Sequence, residues 1–193
     1  MTDTSGTPAD QHATDAITVY SDYVCPFCYL GRASLRRYQA TREQPLAIDW
    51  HPFDLRAGQR GPDGEIDHDV DTGKDDQYFE QAKENVKRLQ ERYDVEMELD
   101  LATDVDSLDA QRVSLHVQST APYETWLAFD EALFDALWQD GRDIGDPDVL
   151  RDVASDVCVD PAEVTSALDD DALHAELAET FDAARRSGVT GVP

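Results

Sequence analysis

Two thiols three positions apart are the part of this 193-residue chain best equipped for chemistry: Cys25-Pro26-Phe27-Cys28. A thiolate, not a thiol, attacks a disulfide, and the unpaired N–H groups and dipole of a helix N-terminus stabilise it. The residues around the pair predict such a position. Ile17-Thr18-Val19-Tyr20-Ser21 is rich in β-branched and aromatic residues that alternate in polarity, the pattern of a strand. Asp22-Tyr23-Val24 make a short connection, and Pro26 suits the first turn of a helix, where its missing N–H is not needed. Cys25, at the helix mouth and partly exposed, is expected to attack; Cys28, one turn deeper, is expected to resolve the mixed disulfide. The Pro-Phe dipeptide adds no positive charge, so Cys25 is expected to be moderately rather than extremely acidic. A Cys pair can also be half of a zinc site, but structural zinc takes four ligands. The chain has no second pair, and His12, His51, His68, His116 and His174 lack ligand spacing, so no metal is expected.

The elements that would hold this centre follow from periodicity. Leu30, Ala33, Leu35 and Tyr38 continue the helix, which should stop before Pro45. Leu46 to His51 alternate as a second strand closed by Pro52, with His51 a strand residue facing solvent or a hydrogen bond. Asp54 to Asp76 are rich in Gly, Pro and Asp without periodicity, a long surface loop. From Asp75 to Ser187 the pattern is almost wholly helical. Tyr78, Phe79, Ala82, Val86, Leu89 and Tyr93 mark one amphipathic helix, a short passage covers 95–101, and Leu108 to Gln118 form a further helix. Glu124 to Gln139 form another, with Leu127, Ala128, Leu133, Phe134, Leu137 and Trp138 as its apolar face. Asp146-Pro147 and Asp160-Pro161 each predict an N-cap followed by proline, with Glu163 a capping-box partner for Asp160. A last helix over Asp171 to Ser187 ends at Gly188. Cys158 is expected to be a small buried apolar residue rather than a third redox partner.

Charge narrows the partners. The chain has 42 acidic and 16 basic residues, net −26, with Lys74, Lys83 and Lys87 its only lysines. Such a surface repels nucleic acid phosphates and anionic lipid, so neither nucleic acid nor a membrane is an expected partner. It also costs stability through self-repulsion at low salt, which suggests a protein adapted to a high-salt cytoplasm. Met1 to Ala16 are polar, without a basic start or an apolar core, and read as a disordered tail rather than a targeting segment. No stretch reaches transmembrane length. Three cysteines do not make a disulfide scaffold, which again suggests the cytoplasm.

Taken in order, these segments resemble the DsbA-like thioredoxin-fold oxidoreductases, and among them the FrnE-type branch. The resemblance rests on residues 20–31 (Tyr-Ser-Asp-Tyr-Val-Cys-Pro-Phe-Cys-Tyr-Leu-Gly), 50–55 (Trp-His-Pro-Phe-Asp-Leu), 141–144 (Gly-Arg-Asp-Ile) and 188–193 (Gly-Val-Thr-Gly-Val-Pro). It implies an α/β thioredoxin-like fold with a large all-helical insertion: a tail at 1–16, a β-α-β part at 17–55, a loop at 56–74, the insertion at 75–187 and the start of a cis-proline loop at 188–193. It further implies thiol–disulfide exchange, with Cys25 as nucleophile, Cys28 resolving, Val192-Pro193 presenting backbone to a substrate, and Pro26 and Phe27 beside them as substrate-binding residues. The substrate would be a protein or small-molecule disulfide, with no cofactor beyond the redox pair and glutathione as a candidate substrate. Such folds continue into two more strands and a closing helix, so the sequence ending at Pro193 is expected to be a fragment, or to be completed by another chain. Two other functions remain open: a glutathione-dependent isomerase or transferase of the 2-hydroxychromene-2-carboxylate isomerase type, whose relatives typically carry Ser at the position of Cys25, and a non-enzymatic redox-sensing binding module.

Overall fold

A computed structural model describes residues 15–62, 64–97 and 104–193. The expected tail falls outside them up to residue 14, as does most of the passage at 95–101. Asp15 and Ala16, counted with that tail, instead open the first strand.

Strand β1 (Asp15–Ser21) pairs in parallel with β2 (Leu46–Pro52), Val19 opposite Trp50 and Ser21 opposite Pro52. A parallel pair needs a crossover, and α1 (Pro26–Gln39) supplies it. The alternation expected of β2 is present: Ile48, Trp50 and Pro52 are buried, while Asp49 between them is exposed. On the edge of β2 away from β1, side chains take over the ladder. The Ile48 amide donates to the Tyr123 hydroxyl at 2.8 Å, and the Gln118 amide donates to the Trp50 carbonyl at 3.2 Å. His51 lies half-buried, its ring stacked 5.0 Å from that of Tyr20.

The loop after β2 has more structure than its composition predicts. It holds a 3-10 turn at Ala57–Gln59 and a bridge between Arg60 and Ile66. One side chain organises it: Arg60 donates to Asp54 at 2.7 Å, to Asp106 at 2.7 and 2.8 Å, and to the Gly64 carbonyl at 2.9 Å. Hydrogen bonds from one guanidinium impose order where hydrophobic periodicity is absent.

Helices α2 (Asp76–Tyr93), α3 (Leu108–Thr120), α4 (Tyr123–Trp138), α5 (Pro147–Asp156), α6 (Pro161–Leu168) and α7 (Asp171–Arg186) follow. Asp146, Asp160 and Asp170 each accept a hydrogen bond from the amide two residues on, so the two Asp-Pro starts are capped as expected. Glu163 does not complete a capping box; its carboxylate lies 2.7 Å from His116 of α3, a pairing that requires the tertiary fold. Gly188, at φ +85°, follows α7 in the left-handed region that glycine enters without penalty.

One core joins the strands to the helices. Tyr23, Cys25, Cys28, Ile48 and Trp50 share it with Val113 and Val117 of α3, Phe129, Leu133 and Phe134 of α4, and Leu150 of α5. Helix α4 is buried more broadly than a one-sided pattern predicts, because α1, α3 and α5 all pack on it. Trp126 and Phe129 are therefore core residues, while Ala128 is exposed. Cys158 is also unlike its expectation: it is exposed, at φ +62° just beyond α5, and Val159 takes the buried place.

Candidate active site

The site is built at the junction of β1 and α1. Cys25 is the N-cap of α1 and Pro26 its first residue; the Cys25 carbonyl accepts from the Cys28 amide at 3.0 Å and the Tyr29 amide at 3.3 Å. The helix mouth therefore lies at the first sulfur, as the motif and its flanks predict. Cys25 is less open than expected: it is 3 % exposed and Cys28 4 %. The cause is tertiary. The chain returns after α7, and the Val192 carbonyl comes to 4.0 Å from Cys25 Sγ, next to a cis Val192–Pro193 bond.

The two thiols differ in acidity. Cys25 is lowered, first by the S–H of Cys28 donating to it and then by the Phe27 and Cys28 amides, against an opposing desolvation. Cys28 is raised, first by making that donation, then by burial and by the charge of Cys25. One sulfur is thus favoured as a thiolate while its neighbour keeps a proton, the division of labour that attack and resolution require. Among the described residues, no group of three or more His, Cys, Asp or Glu is arranged to hold a metal ion.

Of the six residues singled out from sequence, Cys25, Cys28, Val192 and Pro193 converge here. Pro26 and Phe27 lie between the sulfurs, with Phe27 half-buried against the core.

Several residues that sequence reasoning passed over hold this turn in place. Asp22 is 1 % exposed and accepts from the Val24 amide at 3.2 Å, the Leu55 amide at 2.8 Å and the Ser107 hydroxyl. Burial pushes its pKa up to about 6, against the lowering effect of those donors. The Tyr23 hydroxyl donates to Asp130 at 3.0 Å and lies 2.8 Å from Ser114 Oγ, which also accepts from the Trp126 indole at 3.2 Å. Arg32, one turn beyond Cys28, pairs with the same Asp130. The Trp138 indole donates to the Tyr23 carbonyl at 2.8 Å, and Tyr29 donates to Asp135 at 3.0 Å. A carboxylate between a strand and a buried cysteine was a usable signal for Asp22; nothing local marks Ser107, Ser114 or Asp130.

Comparison with known proteins accords with this geometry. The family of DSBA-like thioredoxin domains matches residues 16–193. The uncharacterised protein YwbO of Bacillus subtilis (strain 168) is 31% identical over 153 residues, covering 79% of this chain and 71% of its own. Among solved structures, a protein described as a probable DsbA oxidoreductase from Streptomyces coelicolor superposes with a TM-score of 0.74 at 20% identity, over 92% of this chain and 78% of that one. A 2-hydroxychromene-2-carboxylate isomerase superposes at 0.72 and 18% identity, covering 92% and 83%. The cytosolic disulfide reductase DsbM from Pseudomonas aeruginosa, solved with GSH, does so at 0.62 and 17% identity, again over 92% and 83%. At these identities the likeness is one of fold: a DsbA-like thioredoxin fold, mixed α/β and mostly helical. Matched by the family over nearly its whole described length, the chain belongs to the DSBA-like thioredoxin domain family.

Proposed function

We propose that this protein is a dithiol–disulfide oxidoreductase that works through Cys25 and Cys28. The observation that carries the reading is the environment of the Cys25 sulfur. It receives the Cys28 S–H and two amide donors at a helix N-terminus, with the Val192 carbonyl 4.0 Å away. In the reduced protein, the Cys25 thiolate attacks a substrate disulfide, forming a mixed disulfide and releasing one substrate thiolate. Cys28 then loses its proton and attacks Cys25 Sγ, which expels the second substrate thiolate and leaves the Cys25–Cys28 disulfide. Two electrons pass to the substrate. The reverse sequence oxidises a dithiol. Pro26, Phe27, Val192 and Pro193 border the sulfur and are proposed to contact the substrate, Val192 through its backbone.

The proposed substrate is a protein or small-molecule disulfide, with glutathione a candidate because DsbM, a protein of the same fold, was solved with it. The FrnE-type branch, proposed from residues 20–31 and 188–193, and a high-salt cytoplasm, proposed from the net charge of −26, complete the reading. Among the described residues, no helix is long and apolar enough to cross a membrane.

A second reading, a glutathione-dependent isomerase, draws support from the fold shared with 2-hydroxychromene-2-carboxylate isomerase. The second thiol counts against it, since such chemistry has no step for Cys28. Equilibration with glutathione redox buffers in high salt, followed by thiol trapping and mass spectrometry, separates the two. A reversible two-electron transition confined to Cys25 and Cys28, lost in Cys25→Ser, is expected for the oxidoreductase. A stable glutathione adduct on Cys25 alone selects the isomerase, and turnover indifferent to Cys25→Ser selects a binding module.

A further inference from the structure

Opposite charges gather on two segments in different parts of the fold. Residues 26–42 hold four arginines and no acidic residue, whereas residues 152–184 hold ten acidic residues and neither Lys nor Arg. Helix α1 packs on α2 and α4, α6 packs on α3 and α5, and α7 packs on α3 and β2, so most of this charge is not neutralised within one chain. At the end of α1, Arg36, Arg37 and Tyr38 are exposed, and Tyr38, at 52 %, is the most exposed large apolar side chain among the described residues. Arg42 lies over the Tyr38 ring, its Cζ 5.6 Å from the centroid and its Nη1 donating to the hydroxyl at 3.1 Å. Arg42 also pairs with Asp15 at 2.8 Å, and Arg36 lies 3.9 Å from Glu131. Arg37 has no partner among the described residues. In the acidic segment, Asp152, Glu163 and Asp182 meet Arg142, His116 and Arg185. Asp169 and Asp171, exposed at the corner between α6 and α7, have no ion-pair partner among the described residues.

We propose that the end of α1 around Tyr38 is a docking surface for a second copy of this chain, which presents the corner between its α6 and α7. Tyr and Arg are enriched among the residues that dominate binding energy, and Lys and Glu are depleted from interfaces. Tyr38 is also held in place by Arg42, so it loses little freedom on docking. Charge complementarity decides the occupant. A two-fold pairing of α1 on α1 would set Arg37 against Arg37, whereas the acidic corner of another copy offers Asp169 and Asp171 to it. The contact is therefore head to tail, and successive copies close into a ring or extend as a chain. Net charge of −26 on each copy opposes approach at long range, and salt screens that repulsion more than it weakens groups in contact. Tyr38 lies at the far end of α1 from Cys25, about 20 Å along the helix, so a docked copy leaves the thiol pair uncovered.

Sedimentation velocity of the full chain tests this over a concentration series at about 0.15 M and about 1 M potassium chloride, where charges are screened beyond about 8 and 3 Å. The wild type is expected to form species larger than the monomer that grow with concentration. Arg37→Glu and Tyr38→Ala should each weaken association at least about tenfold, as loss of an interface anchor does. Asp169→Lys combined with Asp171→Lys should do the same from the other side, with the α7 cap Asp170 left in place. Each charge reversal spoils one surface and spares the other. A mixture of Arg37→Glu with the double aspartate variant should therefore form a one-to-one dimer that neither forms alone. Melting temperatures check that each variant is folded; if the double variant is not, Asp169→Lys alone replaces it in the mixture. A wild type that stays monomeric at both salt concentrations overturns the proposal. Association that survives either reversal overturns it too, as does a mixture that stays monomeric.

Discussion

The indole N–H of Trp138 donates to the carbonyl of Tyr23 at 2.8 Å, tying the last turn of α4 to the turn that carries Cys25. Both residues are buried, so the carbonyl has no water to replace the indole. Trp138→Phe should cost about 1–3 kcal/mol, the range for leaving a buried polar group unsatisfied. It should also loosen the turn, so that Cys25 alkylates faster at constant pH. Urea unfolding and a thiol-trapping rate measure the two effects; a stability loss with an unchanged alkylation rate would show that the turn does not depend on α4.

Arg32 and Asp130 form a buried pair, with Tyr23 also donating to Asp130. The Nε and Nη1 atoms of Arg32 have no hydrogen-bond partner among the described residues, and burial lowers its pKa. Removing one partner strands a charge in the core, at a cost of about 3–5 kcal/mol, whereas replacing both with apolar residues of similar volume is often neutral. Asp130→Leu is therefore expected to be severely destabilising, and Arg32→Met with Asp130→Leu much less so. A double-mutant cycle in denaturant reads the difference, and strictly additive losses would contradict it.

Arg60 links Asp54 to Asp106 and so holds the loop after β2 against the segment that leads into α3. Its side chain is largely shielded, and Arg60→Ala should cost about 2–3 kcal/mol through charge-assisted hydrogen bonds lost at a partly solvated site. Arg60→Lys should recover little of this, because a single ammonium cannot bond both carboxylates as a planar fork does. Denaturant midpoints of the two variants provide the check.

Two carboxylates, the buried Asp22 and the half-buried Asp106, titrate in opposite senses. Asp22 is raised to about 6, first by desolvation, so between about pH 4 and 6 the native state keeps a proton that the unfolded chain has lost. Its contribution is therefore most favourable at low pH and declines by about 3 kcal/mol as pH rises through that window. Asp106 is lowered despite its own burial, because Arg60 bonds it; its contribution is present above its unfolded value and disappears as pH falls through its native one. Unfolding free energies of the wild type and Asp22→Asn should diverge across pH 4–6 and run parallel above it. A constant difference across the range would contradict the raised value.

Net charge of −26 predicts a salt requirement. The melting temperature should climb through a potassium chloride series as repulsion is screened. Equal stability without salt would remove the case for adaptation to a high-salt cytoplasm.

The pattern of elements was readable because each rests on neighbours in sequence. Strand alternation at 46–51, the Asp-Pro starts of α5 and α6 and the spacing of Cys25 and Cys28 at a helix mouth all depend on chemistry within a few residues. The errors share the opposite cause. Local spacing pairs Glu163 with Asp160, whereas its carboxylate meets His116 across 47 positions, and a one-sided pattern omits Trp126 because α4 is packed by several helices rather than one.

From the residues themselves came the reactive pair and its place at the N-terminus of α1; the family resemblance supplied the expectation that Val192-Pro193 returns to it. Tertiary structure alone decided how deeply Cys25 is buried and which groups hold the Asp22 carboxylate in place. Asp22 and Ser107 are 85 positions apart, and Tyr23 and Asp130 are 107 apart. Local periodicity carries no information over such separations; only packing of α3 and α4 against the β1–α1 turn brings these groups within hydrogen-bonding distance, where burial and charge set the acidity of the two thiols.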